Sequence, residues 1–138
     1  MASQRPTEPG RPTRSPRAAG SPRAAAGTAG EERAARLLAE HGLEVLLRNW
    51  RCRLGELDLV ARAGAVLVIV EVRQRARGDY GGAAASVTFA KRRRIVRAAR
   101  HLLMLRPDLA RLPVRFDVIA IDGPEGRVEW LRGAFDAG

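Results

Sequence analysis

Apolar residues recur at helical spacing from Gly30 onward, where Ala34, Leu37 and Leu38 predict the buried stripe of a short helix that Gly42 ends. The period then changes. Residues 43–50, Leu-Glu-Val-Leu-Leu-Arg-Asn-Trp, read as a strand, and residues 56–62 as its hairpin partner. Ala63-Gly64 predicts a tight turn into the most apolar strand of the chain, residues 65–73. A loop containing Gly78, Gly81 and Gly82 follows, and Thr88 to about Leu105 is an amphipathic helix with Phe89, Val96, Ala99 and Leu103 on one stripe, ended by Pro107. Residues 114–121 form another strand, Asp122-Gly123-Pro124 turns the chain, and residues 127–131 make a short final strand. The order is α-β-β-β-α-β with a small strand appended, the pattern of an α/β domain whose mixed sheet is flanked by helices.

Residues 1–29 show no such period. They are rich in Pro, Gly, Ala, Ser and Arg, with prolines at 6, 9, 12, 16 and 22. Such a composition cannot bury enough apolar surface to offset the entropy of ordering, so the expectation is a disordered basic tail over 1–29 and one folded domain over 30–138. The tail holds five arginines against Glu8, which leaves +6 of the net +10 on the folded part. Lys91 is the single lysine, so the basic character is almost wholly arginine. An excess of this size favours a polyanionic partner. One cysteine, Cys52, excludes an intramolecular disulfide framework and a cysteine-based zinc site. No apolar run approaches the roughly 18 residues that span a bilayer. The expectation is a soluble cytoplasmic protein that uses no membrane.

The chemistry that stands out is acidic. Gly55-Glu56-Leu57-Asp58-Leu59-Val60 and Val68-Ile69-Val70-Glu71-Val72-Arg73 are apolar strands that carry carboxylates. Burying a carboxylate costs several kcal/mol unless a cation or a metal pairs with it. Glu71 and Arg73, two apart, point to the same face of a strand. Two carboxylates converging on one ion, Asp58 and Glu71, can hold Mg²⁺ while leaving positions open to water and phosphate. Glu31, at the start of the first helix, could ligate a second ion or position a water, although an acid in a helix's first turn is favoured by the dipole alone. The plainer alternative for Asp58 and Glu71 is an ion pair with Arg73 or Arg62. Arg73 stays protonated, so it can grip a phosphate and stabilise a pentacovalent transition state but cannot act as a general base.

The second helix reads Lys91-Arg92-Arg93-Arg94-Ile95-Val96-Arg97-Ala98-Ala99-Arg100. At about 100° per residue, Arg93, Arg97 and Arg100 share one exposed face flanked by Lys91 and Arg94. A cationic face with no compensating acid repels itself unless phosphates meet it. Aromatic residues do not interleave with these cations, which argues against a base-stacking platform. Trp50, Trp130, Phe116 and Phe135 read as core, and Ser86 and Thr88 as helix-start residues. No serine-histidine-acid constellation and no phosphate-cradling glycine motif is visible.

These blocks resemble the bacterial YraN family, which is placed with the PD-(D/E)XK nuclease superfamily. The likeness runs through Gly30-Glu31, Arg48-Asn49-Trp50-Arg51, Gly55-Glu56-Leu57-Asp58-Leu59, Val70-Glu71-Val72-Arg73-Gln74-Arg75, the segment 80–88, Lys91, Arg115-Phe116-Asp117-Val118-Ile119, Val128-Glu129-Trp130 and Ala134-Phe135. The resemblance implies a restriction-endonuclease-like αβββαβ core, Mg²⁺ or Mn²⁺ as cofactor, and nucleic acid, DNA before RNA, as partner; it leaves room for a homodimer. In archaeal Holliday-junction resolvases, a related group, a helix acid precedes an Asp and an acid-x-Lys pair. By position Glu31, Asp58 and Glu71 take the acid places and Arg73 the lysine's, a departure that the family is similar in accepting. Lys91 is a second candidate for the amine. Three functions follow as expectations: a metal-dependent endonuclease acting on branched or damaged DNA, a nucleic-acid-binding module of nuclease fold that does not cleave, or an adaptor whose arginines meet an acidic protein.

Overall fold

The computed structural model describes residues 22–75, 82–123 and 126–137. The tail expected over 1–29 therefore lies outside the described residues up to position 21, as do Gly78 and Gly81 of the expected loop and Pro124 of the last turn.

Helix α1 spans Pro22–Glu40 and begins eight residues before the start expected from the apolar period. The correction has a local cause. Arg-Ala-Ala-Ala at 23–26 is strongly helix-forming even without an apolar stripe, and proline is well tolerated as the first helical residue. The helix ends where expected, with Gly42 at φ 84° in the left-handed region.

Strands β1 (Glu44–Cys52), β2 (Gly55–Ala63) and β3 (Val66–Arg75) form an antiparallel meander. A single 3₁₀ turn, Ala84–Ser86, leads into α2 (Phe89–Leu105), where the Thr88 side chain accepts the Lys91 N–H as an N-cap. Pro107 does more than end this helix: with Pro at its start, a four-residue turn of helix, α3 (Pro107–Ala110), buries Leu109. Strand β4 (Val114–Asp122) returns parallel to β3, the geometry a helical crossover allows, and β5 (Val128–Phe135) closes the other edge antiparallel to β4. The sheet order is β1-β2-β3-β4-β5. This α/β arrangement of a five-stranded mixed sheet flanked by helices is compatible with a restriction-endonuclease-like core.

The sheet buries both faces. Val60, Leu67, Ile69, Phe116, Val118 and Ala120 pack with Ile95, Val96, Ala98, Ala99 and Leu102 of α2. Leu59, Ala61, Val68, Val70, Ile119 and Ile121 pack with Ala34, Ala35 and Leu38 of α1. Phe89 does not belong to the buried stripe, contrary to its expected place: it is 73% exposed. At 100° per residue it lies roughly 110° from the centre of the buried arc, whereas Ile95, Ala99 and Leu102 sit close to it.

Strand β5 runs four residues beyond its expected end because a bulge absorbs the irregularity at Gly133, whose φ is 63°. The bulge turns the Gly133 N–H onto Asp117, which is 0% exposed. Arg115 donates to both Asp117 oxygens (2.9 and 3.0 Å), the Trp130 indole donates at 2.9 Å and the Gly133 amide at 3.0 Å. Phe135 can then stack on Phe116, with centroids 5.1 Å apart. Asp117→Ala leaves these donors without an acceptor and is expected to lower unfolding free energy by about 3–5 kcal/mol; urea denaturation at neutral pH measures it, and a loss confined to a few tenths would show that Asp117 does not hold β5.

Candidate active site

The β2–β3 ladder runs from Ala63↔Val66 to Leu59↔Val70. One further step in the same register would oppose Asp58 to Glu71, and there the regular pairing stops. Instead the Val72 N–H donates to Asp58 Oδ2 at 2.8 Å, so a side chain takes the place of the neighbouring strand. Beyond this point β3 remains paired with β4 through Arg75↔Asp122. The two carboxyl groups therefore meet at a fork in the sheet, with Asp58 9% and Glu71 4% exposed.

The side-chain alternation of β2 slips at the same place. Leu57 and Val60, three residues apart, both face α2, while Leu59 and Ala61 face α1. Strand β1 slips in step: Leu47 and Trp50 both pack on the α2 side, and Asn49 between them is the one non-glycine residue with positive φ (53°) among those described. Asparagine tolerates this conformation better than most residues. The register of β1 with β2 sets Asn49 across from Asp58, between the pairs Arg48↔Leu59 and Trp50↔Leu57.

Groups from both layers reach the fork. Glu31 lies in the middle of α1, not in its first turn as expected, because the helix starts at Pro22; its carboxyl hydrogen-bonds the Asn49 side chain and feels the charge of Asp58. Gly30 packs closely here: a Cβ there would lie 3.0 Å from Gln74 Nε2, so that side chain would have to give way. From α2, Lys91 Nζ is 3.8 Å from Glu71 Oε2, and from β3 itself Arg73 Nη1 is 3.9 Å from the same oxygen. The Arg73 side chain is partly exposed, yet its Nε is buried with no acceptor among the described residues.

Burial sets the protonation of these acids. It pushes Glu71 up to about 8, with the adjacent Asp58 charge adding to the effect and Lys91 opposing it. Burial, then the charge of Asp58, raises Glu31 to about 7. Asp58 is also raised by burial, against the stabilising Val72 N–H and a hydrogen bond with Glu71. The two carboxyl groups hydrogen-bond each other, and the upward shift at Glu71 relieves the repulsion that two like charges this close would feel.

This donor set fits a hard divalent cation. Asp58 and Glu71 offer oxygens side by side, and such an ion fills its remaining positions with water or substrate oxygens. Among the described residues no set of three or more His, Cys, Asp or Glu side chains is placed to hold one ion, so Glu31 is not a third ligand there.

A groove of about 240 Å³ adjoins the fork, lined by Arg51, Cys52, Gly55, Glu56, Lys91, Arg94 and Ile95. Here too a glycine sets the approach: a Cβ on Gly55 would meet the Arg94 carbonyl oxygen at 3.1 Å. Arg51 pairs with Glu56 across the hairpin at 3.4 Å.

Of the residues expected at the site, Glu31, Asp58, Glu71, Arg73 and Lys91 come together, and Arg94 lines the adjoining groove. Arg93, Arg97 and Arg100 do not join them. All three are exposed on the outer face of α2, roughly 180–240° around the helix from Lys91. Asn49, Arg51 and Glu56 are site residues to which the sequence reading assigned no role. Each lies in a block that carried the family likeness, and an asparagine inside an apolar strand was the available signal.

The family described as "Uncharacterised protein family UPF0102" matches the chain over residues 30–121. A UPF0102 protein of Legionella pneumophila is 44% identical over 112 residues, covering 81% of this chain and 95% of that protein. One from Dechloromonas aromatica is 53% identical over 111 residues, covering 80% and 88%, and one from Bordetella petrii is 57% identical over 116 residues, covering 79% and 68%.

The raised acids give a pH dependence of defined sign. Glu31 and Glu71 hold more protons folded than unfolded, so their favourable contribution is complete below about pH 4.5 and is lost as pH rises through about 7 to 8. Thermal stability without divalent ions should fall across that window, and Glu71→Gln should remove part of the fall, raising stability at pH 8.5 by about 1–3 kcal/mol. Excess Mg²⁺ or Mn²⁺ should stabilise the wild type more at pH 8.5 than at pH 5.5. Thermal melts across pH check both; a flat wild-type profile would contradict the upward shifts.

Proposed function

The chain belongs to the UPF0102 family, which is the YraN family of the PD-(D/E)XK nuclease-like superfamily, and from that footing we propose that it is a metal-dependent nuclease-like protein acting on nucleic acid, DNA before RNA. The observation that carries the reading is the buried Asp58–Glu71 carboxyl pair at the sheet fork, with two cations within 4 Å of Glu71.

Asp58 and Glu71 would hold Mg²⁺ or Mn²⁺, which acidifies a bound water and offsets charge on the attacked phosphate. The protein's own contributions can be assigned separately. Asp58 is fixed by the Val72 amide and so presents its second oxygen in one orientation. Arg73, with a buried Nε lacking an acceptor among the described residues, is suited to a phosphate oxygen and to the charge that builds on it. Lys91 reaches the same carboxylate and offers the ammonium that Arg73 does not. Asn49 orients Glu31, whose pKa near 7 suits it to exchange a proton at neutral pH. Arg51 and Arg94 in the adjoining groove supply positive charge for a flanking backbone phosphate.

A second reading, binding without cleavage, draws on Arg73 standing where the superfamily usually has lysine. Single-turnover cleavage of a panel of branched and linear substrates, with Mg²⁺ and with Mn²⁺, separates the two. Asp58→Asn and Glu71→Gln should each abolish hydrolysis while leaving affinity unchanged or raised; at Asp58 the lost carboxylate also removes repulsion towards phosphate. Arg73→Lys should retain or increase the rate, and Arg73→Ala should lower it by about 10²-fold or more. Equal rates for wild type and Asp58→Asn would assign the cleavage elsewhere, and tight binding with no cleavage would favour the second reading.

The basic surfaces are separable. Alanine at Arg51 and Arg94 should weaken binding of a cleavable substrate by about 10-fold or more and also slow cleavage. Alanine at Arg93, Arg97 and Arg100 should weaken binding and flatten its salt dependence, by about one unit of slope for each phosphate no longer neutralised, with single-turnover rate at saturation unchanged. Binding titrations at several salt concentrations alongside saturating cleavage rates provide the check.

A further inference from the structure

Phe89 is the first residue of α2, and its ring is 73% exposed. A single exposed apolar residue is ordinary, but this one stands beside the helix's cations, where the sequence, with Phe89 counted as core, offered no aromatic for stacking. Arg93, one turn on, holds its guanidinium over the Phe89 ring, 5.9 Å from the centroid. The helix that follows carries Lys91, Arg92, Arg93, Arg94, Arg97 and Arg100 and no acidic residue. Lys91, two residues away, reaches Glu71 on the opposite side of the helix. The first turn of α2 thus offers a flat aromatic face and a planar cation together, across the helix from the side on which Lys91 meets Glu71.

We infer that Phe89 is a stacking post for an unpaired base, and that the protein prefers nucleic acid with exposed bases near the reacting phosphate to continuous duplex. The inference rests on the nucleic-acid reading above and narrows its substrate. A partner that stacks on an aromatic ring within a field of arginines must combine π faces with dense negative charge, and a nucleic-acid strand with unstacked bases does so. In a continuous duplex the base faces are covered by their neighbours, so the Phe89 ring finds nothing to stack upon. The guanidinium of Arg93 extends the platform, because its plane can stack on a base or move aside to a phosphate while the ring stays in place. An acidic protein surface would satisfy the arginines but would leave the ring without a matched face.

The test is equilibrium binding of the full chain to three fluorescent probes of equal length: a continuous duplex, the same duplex with a three-nucleotide gap, and a single strand. Phe89→Ala should weaken binding to the gapped and single-stranded probes by about 5- to 100-fold, the range contributed by one base stacked on an aromatic ring, and leave duplex affinity within about twofold. Its salt slope should match wild type, because every phosphate keeps its cation, while Arg97→Ala lowers the slope on all three probes. Phe89→Trp should restore the preference for unpaired bases. Equal losses on all probes, or no loss on any, would overturn the stacking role while leaving the nucleic-acid reading intact. Wild-type protein that binds none of the probes would overturn both. Because the ring is exposed, these substitutions should not disturb folding.

Discussion

The site depends on one electrostatic constraint: two carboxyl groups buried against each other where the sheet cannot close over them. Asp58 and Glu71 fall one step beyond the last regular β2–β3 pair, at positions that continued pairing would set opposite each other. Neither can be ionised independently in that setting. The local structure is arranged around this difficulty. Asp58 satisfies the Val72 amide in place of the missing ladder bond, Glu71 is hydrogen-bonded to Asp58 and pushed up by burial, and the cations of Lys91 and Arg73 stand just short of 4 Å from it. The slip in β1 and β2 alternation brings the α1 acid and the α2 lysine to one place, and Gly30 and Gly55 pack closely against Gln74 and Arg94.

A second buried acid shows that burial alone does not make a reactive group. Asp117 is more deeply enclosed than either Asp58 or Glu71, yet each of its oxygens receives two donors, from Arg115, Trp130 and the Gly133 amide. Its charge is balanced and its lone pairs are occupied, which suits a fastening between β4 and β5 and leaves no capacity for a ligand. Among the described residues, Asp58 and Glu71 have fewer donors than their oxygens can accept, and the buried Arg73 Nε has no acceptor. The difference lies in the count of donors. On the proposed reading, that deficit is what a cation would fill and the Arg73 N–H is what an anion would meet.

The strands and their order were legible because two-residue alternation and bounding turn residues mark them, and the spacing of Glu71 and Arg73 showed that both face one way. The acids were legible because carboxylates are out of place in apolar strands. Two features were not. Alternation predicts a face only while the register is regular, so the slip at Asn49 and Asp58 hid the role of Asn49 and the convergence of both layers. The helical stripe assigned Phe89 to the core because an apolar residue at the edge of an amphipathic arc looks like part of it, although it lies well away from the centre of that arc. The start of α1 was missed for a related reason, since alanine-rich sequence forms helix without any apolar period to announce it.

The cations of α2 are divided by the helix they share. Lys91 and Arg94 border the sheet side, where one approaches Glu71 and the other walls the groove at the hairpin mouth. Arg93, Arg97 and Arg100 occupy the outer face, too far around the axis to meet the same phosphate. On the proposed reading, the first pair acts where charge develops and must be positioned, so its geometry is constrained by Gly55 and by the acids. The outer trio acts at longer range, where the interaction is screened over about 8–10 Å at ordinary ionic strength and depends on total charge more than on placement. A substitution of one cation for another should therefore be tolerated on the outer face and not at the fork. There Arg73, with its fixed planar donors, and Lys91, a compact ammonium, hold different positions around a single carboxylate oxygen.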